Sequence, residues 1–275
     1  MNQQTKAPSF TAACLQLNAS NDMVANIDVV TSLTRQAAAA GADIVLMPEN
    51  LLMMEWGQKN IVSKAMPEDS HQGLKHLCVL AKELGIWLHC GSLSVLLPGG
   101  KVANRTYVLS PNGIVKATYD KIHMFDVDLG AGERYAESKT FRAGSLPAWV
   151  DLPWGRLGLT ICYDVRFPSL YRHLARSGAH FLTVPSAFTK ITGEAHWHVL
   201  MRARAIETGC FVFAPAQSGS HGTRETYGHA LIVNPWGKVL ADAGEKPGFI
   251  SAVIDSNEVA EARSRIPSLS LNVQF

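Results

Sequence analysis

Three residues of this 275-residue chain stand where strands should end, and their types fit one reaction. Glu49 follows the apolar run Asp43 to Pro48, Lys121 follows a run ending at Tyr119, and Cys162 follows Leu157 to Ile161 with a turn into a helix behind it. Strand carboxyl ends are where α/β folds collect reactive groups. Taken singly, each has an ordinary structural reading: a capping carboxylate, a solvated lysine, a small buried thiol. Taken together they can cleave a C–N bond. A thiol is a poor nucleophile until it ionises, with a free pKa of about 8.5. A carboxylate can take its proton during attack, and an ammonium favours first the thiolate and then the tetrahedral oxyanion. The product is an acyl-enzyme that water hydrolyses. Such a set suits amide hydrolysis and not hydride transfer.

Other signals are weaker. His196 and His198 flank Trp197, but i and i+2 point to different helix faces, so one metal ion would not take both; His196 reads better as a substrate contact or a partner for Trp197. No Cys-x-x-Cys and no Gly-x-Ser-x-Gly occurs, which argues against a structural zinc, a dithiol site and a serine-hydrolase elbow. Gly130-Ala131-Gly132 lacks a third spaced glycine and reads as a flexible loop. Arg202 and Arg204 read as salt-bridge partners on a helix face. Arg166, four residues past Cys162, could hold a substrate carboxylate bidentately, with a structural ion pair as the alternative. Lys190 is a second cation read at the site's rim. The chemistry read here needs no cofactor and no metal ion.

The elements that must position these residues alternate between extended and helical. Strands are expected at Phe10 to Leu17, Asp43 to Met47, Ile86 to Leu96, Val102 to Leu109, Ile114 to Tyr119, Leu157 to Ile161, His180 to Val184, Cys210 to Ala216, Tyr227 to Val233 and Phe249 to Ile254. The run from Ile86 to Tyr119, broken at Pro98 and Pro111, predicts an antiparallel meander. Helices are expected from about Asn21 to Gly41, His71 to Leu84, Pro168 to Arg176 and Glu194 to Glu207, with Asp255 and Glu258 as a capping box for a last one. Two mixed sheets with helices outside is the natural assembly. No linker divides the chain, so one domain is expected over 1–275, with its core at about 10–267. The irregular stretch Ile122 to Pro147 is too long for an idle connection and is expected to be functional.

Composition narrows the partners. The chain is 47% hydrophobic and 17% charged, enough for a sizeable core, and its formal net charge of +2 gives no reason to expect nucleic acid or an acidic membrane surface. There is no apolar run of about 18 residues, and Met1 to Ser9 lacks a signal-peptide core. Five cysteines (Cys14, Cys78, Cys90, Cys162, Cys210), odd in number and far apart, suit free thiols in a reducing compartment, with the cytoplasm as the default. A small-molecule partner is expected.

The blocks Leu-Met-Pro-Glu-Asn (46–50), Tyr-Asp-Lys-Ile-His-Met-Phe-Asp (119–126) and Ile-Cys-Tyr-Asp-Val-Arg-Phe-Pro (161–168) resemble the three ordered motifs of the nitrilase superfamily of carbon–nitrogen hydrolases, from about Phe10 to Pro267. The resemblance implies a Glu49-Lys121-Cys162 triad, a second glutamate at Glu137, and an oxyanion hole made by Lys121 and the Tyr163 N–H. It also implies a four-layer α-β-β-α sandwich with two mixed sheets of six-stranded type, pairing as a homodimer or higher homo-oligomer. Cys-Tyr-Asp departs from the Cys-Trp-Glu of true nitrilases, and Ser169 from the glutamate often found after Phe-Pro. The blocks at 185–197, 202–208 and 227–237 are similar to Nit-type amidases. Ser186 and Ala216-Gln217 resemble the branch acting on deaminated glutathione, which implies hydrolysis of α-keto-glutaramyl-cysteinylglycine to 2-oxoglutarate and cysteinylglycine. The alternatives are an ω-amidase for 2-oxoglutaramate, a carbamoylase, a catalytically silent interaction module, and a thiol redox sensor.

Overall fold

Residues 9–130 and 133–271 are described by the computed structural model. The leading residues 1–8, two residues (131 and 132) of the glycine segment, and 272–275 lie outside the described residues.

Layering begins with strand β1 (Phe10–Leu17), which is apolar at both parities. Phe10, Ala12 and Cys14 face one core, while Ala13, Leu15 and Leu17 face another. Successive strand side chains point to opposite faces, so such a strand must be covered on both sides. Helix α1 (Met23–Ala39) covers one of them, and the Asp22 carboxylate caps it by accepting from Val24 N and Ala25 N at 2.9 and 3.2 Å. Strand β2 (Ile44–Leu46) runs parallel to β1. A short helix α2 (Gln58–Lys64) precedes α3 (Gln72–Leu84), which stops at Gly85 in the left-handed region.

The expected strand over Ile86 to Leu96 is in fact two, β3 (Trp87–His89) and β4 (Leu93–Leu96), broken around Gly91. Both pair antiparallel with β5 (Val102–Leu109), which pairs on with β6 (Val115–Asp120), so the meander is β4-β5-β6. The long stretch after β6 holds a hairpin of β7 (Asp126–Asp128) and β8 (Arg134–Ala136), then a single 3₁₀ turn at Glu137–Lys139.

A second sheet follows from β9 (Ala148–Leu152) and β10 (Gly155–Leu159). Helix α4 (Pro168–Arg176), β11 (Ala179–Thr183), helix α5 (Lys190–Thr208) and β12 (Phe211–Ala214) come next. Helix α5 starts four residues before the expected Glu194, which puts Lys190 in its first turn. Past Pro215 the chain crosses back to the first sheet as β13 (Ala216–His221) and β14 (Arg224–Tyr227). The expected strand Tyr227 to Val233 is cut at Gly228 and His229, both at positive φ. Its second part, β15 (Leu231–Val233), belongs to the other sheet with β16 (Val239–Asp242). Strand β17 (Gly248–Ile254) returns beside β1, and α6 (Asn257–Arg265) ends the described fold. The capping box does not form. Asp255 accepts from Asn257 N, while Glu258 turns to Asn234 Nδ2.

The first sheet therefore has nine strands rather than six, and the second has six in the order β16-β15-β12-β11-β10-β9. Both are mixed. Helices α1 and α3 cover the first sheet, α4 and α5 the second, and the sheets share a core in which Ala12, Leu46 and Val108 meet Leu159, Phe181 and Phe213. That is the expected four-layer α-β-β-α order. No helix among the described residues is long and apolar enough to cross a membrane.

Candidate active site

Each functional side chain leaves its strand at a point where the ladder has to stop. Pro48 cannot donate to a sheet, and Glu49 comes next, followed by Asn50 at φ +54. Lys121 comes one residue after β6; its N–H reaches Asn104 O at 3.0 Å and its carbonyl accepts from Gly144 N at 2.8 Å. Cys162 opens a 3₁₀ turn, Cys162–Arg166, at φ +48. A non-glycine residue held there costs of order 1–3 kcal/mol, and such strain gathers at functional positions.

These three strand ends converge below a cleft of about 330 Å³, lined by Glu49, Lys121, Glu137, Cys162 and Tyr163 among others. Lys121 Nζ lies 3.0 Å from Glu49 Oε1 and 2.9 Å from Glu137 Oε2, with the lysine and Glu49 almost fully buried. Glu49 Oε2 accepts from Ala187 N at 2.9 Å, and Glu137 Oε2 from Phe125 N at 2.7 Å. Burial opposes the Lys121 charge, but the carboxylates of Glu137 and Glu49 more than offset it and hold the ammonium well above its ordinary pKa. Burial, followed by the charge of Glu49, pushes the Cys162 thiol well up, and Lys121 reverses only part of this. The Cys162 side chain is thus a neutral thiol beside the Glu49 carboxylate.

Several residues that hold this arrangement carried no assigned role in the sequence reading. Asn104 Nδ2 donates to Glu49 Oε1 at 2.9 Å and to Glu137 Oε1 at 3.3 Å, bridging the two carboxylates. Its signal was a lone amide in an apolar strand. Asp164, fully buried, accepts from Ile161 N (2.9 Å), Tyr119 Oη (2.7 Å), His123 N (3.0 Å) and pairs with His123 Nδ1 (2.7 Å). Three of these bonds, from Tyr119 and His123, tie the lysine segment to the Cys162 turn, and the fourth closes the turn on itself. His123 also stacks on Phe167, with ring centroids 3.6 Å apart. Both residues lay inside the quoted motifs, but nothing in their spacing says that they meet.

Other expected site residues lie elsewhere. Ser186 is buried and does not line the cleft; its hydroxyl donates to Val184 O and its carbonyl accepts from Gln217 N. Gln217 in turn donates to Glu49 O at 3.0 Å, so Ser186 and Gln217 shape the backbone that presents Glu49. Arg166 is not among the lining residues either. The residue is half-buried, with its guanidinium 3.3 Å from His196 Nδ1 and over the rings of Tyr163 and Phe188, which do line the cleft. His196 is therefore an arginine partner in the second turn of α5, while His198 turns away to Asp242. Lys190 is exposed and pairs with Glu225 at 3.2 Å. Arg202 donates to Gly237 O rather than to a carboxylate, and Arg204 pairs with Glu207 and also donates to Val165 O in the nucleophile turn. The cations that do line the cleft, besides Lys121, are Arg134, Lys139 and Arg224.

Comparison with known proteins agrees with this geometry. The family described as Carbon-nitrogen hydrolase matches residues 11–264. A Synechocystis sp. protein named "Deaminated glutathione amidase" is 40% identical over 96% of this chain and 98% of its own. The crystal structure of the Caenorhabditis elegans NitFhit protein superposes with a TM-score of 0.91 at 35% identity, over 98% of this chain and 66% of that one. Saccharomyces cerevisiae Nit3, titled a member of branch 10 of the nitrilase superfamily, superposes with a TM-score of 0.86 at 27% identity over 97% of both chains. With the family matched over nearly its whole length and the strand ends gathered under one cleft, the chain belongs to the carbon-nitrogen hydrolase family.

Proposed function

We propose that this protein is a thiol amidase that hydrolyses deaminated glutathione to 2-oxoglutarate and cysteinylglycine. The observation that carries the chemistry is the buried Cys162, Glu49 and Lys121 cluster at the floor of an open cleft. The substrate reading rests on the likeness to relatives that carry that name. In this reading Glu49 takes the thiol proton as Cys162 Sγ attacks the amide carbonyl carbon. The oxyanion is held by Lys121 Nζ and the Tyr163 N–H, and Glu137 keeps Lys121 charged and in place. Collapse breaks the C–N bond, the proton on Glu49 passes to the departing nitrogen, and cysteinylglycine leaves. Glu49 then draws a proton from water as it attacks the thioester, releasing 2-oxoglutarate and the thiol. A thiolate formed before substrate binds would face two carboxylates, so proton transfer coupled to attack is what this electrostatics favours.

The test is direct: purified protein with deaminated glutathione should release cysteinylglycine and 2-oxoglutarate in equal amounts. Ammonia from 2-oxoglutaramate with no release of the peptide would move the assignment to an ω-amidase. No release from any amide would leave a silent module. The reading also includes a homo-oligomer, supported by the exposed apolar stripe Ile191, Val199 and Ile206 at seven- and eight-residue steps along α5. Free thiols at all five cysteines support a reducing, cytoplasmic setting.

A further inference from the structure

Deaminated glutathione carries a second carboxylate, on the glycine of the leaving dipeptide. Two extended residues span roughly 7 Å, so that carboxylate lies well beyond the scissile nitrogen. The dipeptide leaves while the acyl group stays on the enzyme, and its far end therefore belongs toward the mouth of the cleft. The two cations that the sequence offered for substrate carboxylates, Arg166 and Lys190, do not line the cleft. Of those that do, Lys121 is held by Glu49 and Glu137, Arg134 is largely exposed and paired with Asp128 at 2.6 Å, and Lys139 is an exposed lysine on its turn.

Arg224 is different. Its guanidinium carbon lies 4.1 Å from the ring centroid of Trp56 and 4.2 Å from that of Tyr135, between the two aromatic side chains. Trp56 is tied to the same hairpin through Nε1 to His221 O at 3.1 Å. Three segments distant in sequence thus clamp one half-buried arginine in the cleft wall, and all three line the cleft. Its hydrogen bond among the described residues is a long one, 3.4 Å to Arg134 O, which leaves most of its five donors without a protein acceptor. The cleft carboxylates compete little for it. Glu55 pairs with Lys64 at 2.5 Å and Glu225 with Lys190. A planar cation fixed on both faces presents its edge, and a carboxylate matches that edge with two parallel hydrogen bonds.

Resting on the substrate reading above, we propose that Arg224 is the specificity residue that binds the terminal carboxylate of the leaving dipeptide. The test compares deaminated glutathione with its glycinamide-capped counterpart, in which that carboxylate is a neutral amide. Wild-type kcat/KM should favour the free acid by roughly ten- to a hundredfold, the range of a charge-assisted hydrogen-bonded pair. Arg224→Gln should bring the two substrates close to parity, mainly through KM of the free acid, and Arg224→Lys should recover only part of the preference. Wild-type discrimination persisting in Arg224→Gln, or no discrimination by the wild type while it turns over both, would overturn the assignment of Arg224 alone. Turnover of neither substrate by the wild type would overturn the substrate reading and this assignment with it.

Discussion

Burial first, and then the charge of Glu49, hold the Cys162 thiol neutral, and in the proposed mechanism that same carboxylate takes the proton. In the proposed mechanism Glu49 moves a proton and Lys121 holds the oxyanion, and substitution should separate the two roles. Glu49→Gln keeps the shape and removes the proton acceptor, though its single oxygen can accept from Asn104 Nδ2 or from Ala187 N but not from both; acylation measured by rapid quench should slow by roughly 10²–10⁴-fold. Lys121→Met leaves two buried carboxylates without their cation and removes an oxyanion donor, which should cost at least roughly 10²–10³-fold in the same step. Wild-type acylation in either variant would remove that residue from the chemistry. Asn104 and Asp164 belong to the same scale: each spreads one side chain across two of the converging segments, so the reacting groups keep their spacing when the cleft is empty.

Strand ends rather than strands carry the site, and the joints beside them are tightly built. Gly91 breaks the run between β3 and β4 at φ +48, and a Cβ placed on it would lie 1.9 Å from Pro48 O, one residue before Glu49. Gly91→Ala combines a left-handed backbone, costing about 1–2 kcal/mol, with overpacking of about 1–3 kcal/mol. The expected loss is roughly 2–5 kcal/mol in urea unfolding, with activity falling further as the Glu49 segment shifts. Gly99→Ala supplies the comparison. Its φ is +88 but nothing lies within 4 Å of the added Cβ, so only the backbone cost should appear. Equal losses for the two variants would show that contact with Pro48 does not matter.

Where the two sheets meet, the molecule encloses an imidazole. His89 is fully buried, opposite Leu46 on β2; its Nε2 reaches Thr106 Oγ1 at 3.1 Å, while Nδ1 has no partner among the described residues. Burial pushes its pKa down to about 3. The unfolded chain, with a histidine pKa near 6.5, binds this proton first as pH falls. The stability associated with the neutral ring is therefore complete above about pH 6.5 and is lost progressively down to about pH 3. His71 and His221, lowered mainly by burial, act in the same direction. Thermal unfolding between pH 6.5 and 5, above the range of most carboxylates, should show stability falling by up to about 1.4 kcal/mol per pH unit from His89, with His71 and His221 adding to the fall. His89→Gln should flatten that slope by close to one proton. An unchanged slope would show that the ring is not held neutral.

Much of this was legible in the sequence, for a physical reason. Strand and helix follow from local periodicity, so the strand at Phe10–Leu17 and the stop of α3 at Gly85 could be read from neighbouring residues, while the four-layer order came with the family resemblance. The three reactive types at strand ends were legible in the same way, because chemistry restricts which side chains can serve. What local pattern could not supply was anything resting on long-range contact. The split of Tyr227 to Val233 between two sheets depends on which strands lie alongside, and the clamp by Asp164 depends on a loop 41 residues away. The surroundings of the cations were hidden for the same reason. Arg166 was near Cys162 along the chain, but its guanidinium meets His196, and Lys190 pairs with Glu225. Arg224 reaches the cleft wall because a strand crossing between sheets brings it against Trp56 and Tyr135. Nearness to a nucleophile in sequence sets only how far a side chain can be; tertiary packing decides which way it points and which partner already holds its charge.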